Sequence, residues 1–122
     1  MNYLGIDYGQ SKIGLAKATN EVKIATPLRV IRGGIEEVKS AIKEEEIDEI
    51  IVGYPLNLSG KQGAQTKEVD GFIKKLELLN KPIHKQDERF SSRSAVSEGD
   101  DDASAAALIL QTWLDSQEKS SS

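Results

Sequence analysis

The stretch YLGIDYGQSKIGLA, residues 3–16, ends an apolar run on one aspartate and surrounds it with glycines. Residues 2–7 read as a short buried strand that closes at Asp7, and Gly9 to Ser11 supply a turn. Residues 12–18 return as a second strand with Ile13 and Leu15 on one face. Alternation puts Tyr3, Gly5 and Asp7 on one side of the first strand, and Leu4 and Ile6 on the other. An aspartate at the carboxyl end of an inner strand stands where ligands bind in open α/β sheets. Gly5 and Gly9 would admit another backbone or a phosphate. A plainer account makes Asp7 the first residue of a tight turn with Gly9 supplying its conformation. This stretch alone leaves both open, but its spacing excludes the Rossmann and P-loop fingerprints.

Working outward, Val22, Ile24, Leu28 and Val30 fall at even spacing and predict a third strand, on which Pro27 marks an edge or a break. The period then changes. Ile35, Val38 and Ile42 predict an amphipathic helix over 35–46. Residues 47–54, IDEIIVGY, predict a buried strand stopped by Pro55. Val69, Phe72, Ile73, Leu76 and Leu79 mark a longer helix, followed by Pro82 and a short strand near 83–88. Residues 103–117 predict a final helix, with a frayed tail over 118–122. The order β-β-β-α-β-α-β-α predicts an α/β fold, with a mixed five-stranded sheet and helices on both faces. Neither repeats nor a long linker divide it, so residues 1–117 are expected to form one domain.

The bulk properties narrow the class. A chain of 122 residues with 38% hydrophobic and 30% charged residues has ordinary globular composition. It has no apolar run that could span a bilayer, no secretory leader pattern and no cysteine, which fits a cytoplasmic protein without membrane contact. The net charge of −4 and an isoelectric point near 5.1 exclude binding of nucleic acid through a global basic field. An enzyme with acidic metal ligands and a local basic patch remains. The acidic run Glu36, Glu37, Glu44, Glu45, Glu46, Asp48 and Glu49 reads as a solvated helix face and the loop after it.

Two further acidic stretches bear on Asp7. In KQDERFSSRSA, residues 85–95, Asp87, Glu88 and Arg89 stand where the last strand gives way to loop. Packing has little use for such charges, although a surface Glu–Arg pair would also account for them. Alternation separates Asp87 from Glu88, so one of them at most faces a shared site. In the final helix Asp102, Ala106, Ile109 and Trp113 share a face whose other members are apolar, which aims Asp102 toward the sheet. N-capping is the simpler role for an aspartate there, but Asp100 or Asp101 can fill it. Asp7, Glu88 and Asp102 can meet at one sheet edge. Three carboxylates without histidine or cysteine partners suit Mg2+ or Mn2+ rather than zinc. His84 has no partner pattern and reads as a strand side chain.

With these residues in view, the chain resembles the YqgF family of small ribonuclease-H-like proteins, which are related to RuvC-type resolvases. Four segments carry the likeness, in order: GIDYGQSKIGLA, IVGYPLNLSGKQGAQTKEVDGFIKKL, DERFSS and DASAAALILQTWL. The resemblance implies a ribonuclease H fold and divalent-metal hydrolysis of nucleic acid, either precursor 16S rRNA or a Holliday junction in branched DNA. Asp7, Glu88 and Asp102 become the implied catalytic and metal-binding acids. Gly9 turns the hairpin, and Gly53, Pro55 and Gly60 match the family's glycine-proline loop. Lys12, Lys61 and Arg89 flank these motifs and are the expected phosphate contacts. The implied partners are nucleic acid and the ribosome precursor, with the chain a monomer or homodimer.

Two departures stand out. Lys12 replaces the family's usual arginine, keeping the charge without the bidentate fork. The segment between Arg89 and Asp102 is shorter and less basic than is usual, which removes positive charge beside the expected cleft. Actin-like and sugar-kinase ATPases open on a similar hairpin but need two lobes. A catalytically quiet nucleic-acid-binding domain of the same fold is the remaining alternative.

Overall fold

The structure, a computed structural model, describes residues 1–9, 11–55, 63–87 and 102–120. Eight elements follow in the expected order: β1 (Asn2–Tyr8), β2 (Ile13–Thr19), β3 (Thr26–Ile31), α1 (Ile35–Glu44), β4 (Glu49–Tyr54), α2 (Ala64–Glu77), β5 (Ile83–Asp87) and α3 (Asp102–Ser120). The five strands form one mixed sheet in the order β3-β2-β1-β4-β5. The first three are antiparallel, whereas β1, β4 and β5 run parallel.

Strand alternation sorts the core into two layers. Leu4 and Ile6 of β1 join Ile50, Val52 and Tyr54 of β4 against Val38, Ile42, Val69, Phe72 and Leu76 of α1 and α2. On the other face Ala16, Ala18 and Ile51 pack against Ala106, Ile109, Leu110 and Leu114 of α3. Ile50 and Ile51 are both fully buried, as a strand covered on both faces requires. Helix α3 also has the inward face expected for it, with Ala106 and Ile109 buried.

The third strand is shorter than expected and begins at Thr26. Val22 and Ile24, whose spacing mimics a strand, stand 60% and 66% exposed. A local turn takes this segment: Val22 N donates to Thr19 Oγ1 at 2.9 Å, and Thr19 N donates to the Val22 carbonyl at 3.3 Å. Gln111 of α3 then fixes the loop, its Oε1 accepting from Ala25 N at 2.8 Å and its Nε2 donating to the Lys23 carbonyl at 3.1 Å. Pro27 does lie on an edge strand, where its missing N–H costs no ladder bond.

Helix α1 ends earlier than 46 because Glu46 adopts a left-handed φ of 53°, a conformation incompatible with continuing the helix. The Asn2 amide donates to the carbonyls of Glu45 and Glu46 at 3.2 and 3.0 Å. It thus satisfies helix-end acceptors that would otherwise need water. The acidic run is less uniformly solvated than its composition suggests. Glu45 meets Lys17 at 3.0 Å and Arg29 at 3.6 Å, while Glu49 meets His84 at 2.7 Å. At the other end of the chain, α3 continues to Ser120, past the expected end at 117. Among the described residues, no helix is long and apolar enough to cross a membrane.

Candidate active site

The carboxyl ends of β1, β4 and β5 lie along one edge of the sheet because the three strands are parallel. Asp7 is half-buried near the end of β1, paired across to Gly14 of β2. Alternation puts it on the α3 side, beyond Gly5 and Tyr3. The β1–β2 ladder closes at Tyr8 and Ile13. Within the hairpin loop, a Cβ on Gly9 would stand 2.7 Å from the Lys12 carbonyl oxygen, which explains the glycine. Lys12 is half-buried at the start of the return strand. Both Asp7 and Lys12 are engaged in contacts within the fold.

The same edge gathers the end of β4. Ile6 pairs with Val52, so Asp7 and Gly53 each stand one residue further along adjacent strands. Pro55 follows β4, and Thr66 binds both described flanks of the segment 56–62. The buried Thr66 hydroxyl donates to the Pro55 carbonyl and accepts from Gly63 N, the latter at 3.1 Å. Gly60 and Lys61 lie between these flanks, outside the described residues. Sequence reading missed Thr66. Its position three residues after the helix-capping Gly63 was the available signal.

Asp87 ends β5 opposite Tyr54. Tyr54 is buried in the α1/α2 layer and its hydroxyl donates to Asp70 of α2 at 2.8 Å. Asp87 therefore projects to that layer and not to the Asp7 side. Glu88 and Arg89 follow at once in the chain, and both lie outside the described residues.

Helix α3 begins at Asp102, the last of the three expected acids. The Tyr3 and Trp113 rings meet at 5.5 Å between centroids. One step along β1, a Cβ on Gly5 would fall 2.7 Å from Leu110 Cβ and 2.8 Å from the Ala106 carbonyl oxygen. As β1 advances from Tyr3 to Asp7, α3 thus retreats from Trp113 toward its own start. The two run antiparallel, and the first turn of α3, which opens at Asp102, comes to the Asp7 end. Among the described residues no group of three or more His, Cys, Asp or Glu could hold a metal. Of the three expected ligands, the described side chains include only Asp7.

The edge also has a characteristic field. Helix α1 starts after β3, whose Ile31 pairs with Ile13, and α2 starts after β4. With α3, all three helices direct their N-termini to the Asp7 edge. Each brings a partial positive charge of about half an electron. Clefts of about 350 and 530 Å3 open there, bordered by Tyr8, Gly9, Gly34, Ala64 and Lys75 among others.

Comparison with known proteins establishes the family and the fold. A family model described as "RuvX: Holliday junction resolvase" matches residues 1–116. A protein of Anaeromyxobacter sp. (strain Fw109-5) named "Putative pre-16S rRNA nuclease" is 36% identical, over 94% of this chain and 97% of its own. A protein of Rickettsia felis with the same name is 34% identical, over 95% of this chain and 87% of its own. Among solved structures, T. thermophilus RuvC in complex with a Holliday junction substrate superposes with a TM-score of 0.63 at 12% identity. That match covers 97% of this chain and 96% of RuvC. At that identity it establishes the fold, which is the RuvC-like, ribonuclease-H-like arrangement. The chain belongs to the RuvX (YqgF) Holliday junction resolvase family.

Proposed function

We propose that this protein is a divalent-metal-dependent nuclease of the cytoplasm that hydrolyses phosphodiester bonds during 5′-end maturation of pre-16S rRNA. The observation that carries the reading is the antiparallel course of α3 over β1, which starts α3 at the edge where Asp7 stands near the end of β1. Relatives named as nucleases of this RNA support the choice of substrate.

In this reading Asp7, Glu88 and Asp102 hold Mg2+ or Mn2+. An all-oxygen, all-carboxylate donor set fits such hard cations. When bound, the ion supplies a more acidic water and stabilises charge on the phosphate and leaving oxygen. Lys12, Lys61 and Arg89 hold substrate phosphates, and the three helix N-termini add to the same field. Gly9 and the Gly53–Pro55–Gly60 loop shape the edge. The chain does this as a monomer or homodimer, with the ribosome precursor as its partner.

The test is a cleavage assay on precursor rRNA and on four-way DNA junctions, with Mg2+, with Mn2+ and with EDTA. Asp7→Asn is expected to reduce the rate by at least about a hundredfold, the loss of ~3 kcal/mol of transition-state stabilisation. Cleavage unchanged by Asp7→Asn or by EDTA would overturn the site. Preference for the junction over the RNA would favour a resolvase, the activity in the family's description.

A further inference from the structure

The opposite end of the sheet holds a separate cleft, of about 430 Å3, whose walls include Tyr3, Glu49, His84 and Trp113. Four residue steps along β1 take Tyr3 to Asp7, or about 13 Å, with α3 packed over Gly5 between them. The cleft is therefore distinct from the candidate nuclease edge.

Its chemistry is aromatic and anionic. Trp113 meets Tyr3 at 5.5 Å and His84 at 4.8 Å between ring centroids. Glu49 lies beside Tyr3 on the adjacent strand, and its Oε1 bonds His84 Nε2 at 2.7 Å. The other carboxylate oxygen makes no hydrogen bond among the described residues, and neither does the Tyr3 hydroxyl. Burial raises the Tyr3 pKa above the ordinary phenol value, and the charges of Glu49 and Asp48 raise it further. Those two charges mark the local potential as negative. Helix direction adds to it, since α1 ends at the Asn2 end of β1 and α2 ends just before β5. Two opposing charges stand at the rim: Lys23, on an exposed loop, and the Met1 ammonium, which donates to Asn20 Oδ1 at 3.1 Å.

We propose that this cleft binds an arginine side chain of a basic protein segment, its guanidinium stacked on Trp113 and hydrogen-bonded to Glu49. A planar cation gains from ring faces and from a carboxylate together, and arginine presents the flat fork that uses both. A nucleic-acid strand brings phosphates, which the carboxylates and the helix C-termini disfavour. The two ends of the sheet thus divide the work: the Asp7 edge suits phosphate, and the Trp113 end suits a cationic partner.

Trp113 is the single tryptophan of the chain, so its fluorescence reports this cleft alone. The experiment titrates the full chain with N-acetyl-Gly-Arg-Gly-amide, with the citrulline analogue that has the same shape without the charge, and with guanosine monophosphate. Saturable quenching by the arginine peptide is expected, with at least about tenfold weaker binding of citrulline. Glu49→Gln is expected to lose a similar factor while keeping the wild-type circular dichroism and leaving RNA cleavage unchanged. The arginine–citrulline contrast on wild-type protein decides the matter should that variant fail to fold. Equal binding of both peptides, no saturation by either, or saturation by the nucleotide alone would overturn the proposal.

Discussion

Gly5 and Ala106 approach so closely that a Cβ on Gly5 would stand 2.8 Å from the Ala106 carbonyl oxygen and 2.7 Å from Leu110 Cβ. This contact seats α3 on β1, and the start of α3 takes its height over the sheet edge from it. Gly5→Ala must push the helix outward. The expected cost is about 2 kcal/mol or more, from overpacking against backbone that cannot swing aside. Urea denaturation checks it, with a lower midpoint at unchanged m-value. Cleavage by the remaining folded protein is expected to fall as well, since Asp102 moves relative to Asp7.

Thr66 tests the anchoring of the segment that carries Gly60 and Lys61. Thr66→Val keeps the shape but strands the Pro55 carbonyl and Gly63 N–H that the hydroxyl now joins. A loss of about 1–3 kcal/mol is expected, with Thr66→Ser retaining most of the stability. RNA affinity, measured by filter binding at low salt, is expected to fall for Thr66→Val and to stay near wild type for Thr66→Ser.

Asn2 links the start of β1 to the end of α1. Asn2→Ala removes the donors to Glu45 and Glu46 and leaves the backbone bond from Asn2 N to Asp48 Oδ2 in place. Because water reaches part of this site, the expected loss is about 1 kcal/mol. Thermal unfolding would show it as a fall in Tm of several degrees.

Tyr3 sets an alkaline limit. Its folded pKa is raised, first by burial and then by Glu49 and Asp48, so the folded chain holds this proton more tightly than the unfolded chain does. Its contribution is fully present below the unfolded phenol pKa of about 10 and is lost as pH rises through the higher folded value. Tyr3→Phe is expected to flatten the alkaline limb of a stability–pH curve measured by denaturant titration. An unchanged limb would show that other groups dominate there.

Much of the architecture can be read from local pattern. Alternation around Leu4, Ile6, Ile50 and Val52 and the 3.6-residue spacing of Val38 and Ile42 report which face each element buries, so the element order and the mixed sheet are legible. The same reasoning misplaced the start of β3. Val22 and Ile24 have strand-like spacing, yet bonds at Thr19 and Gln111 hold them in an exposed loop. Gln111 lies 86 residues from Ala25, and no local pattern reports a partner at that distance.

For the site, sequence by itself determined that Asp7 stands near the end of an inner strand and that Asp102 stands at the start of a helix with an apolar face. Periodicity fixes these because burial repeats with the geometry of each element. Only the tertiary structure decided that α3 runs antiparallel to β1, that Asp87 faces away from Asp7, and that Tyr3, His84 and Trp113 meet at the opposite end. Those relations depend on strand register and on the clearance at Gly5, where a single missing Cβ sets how close helix and sheet can come.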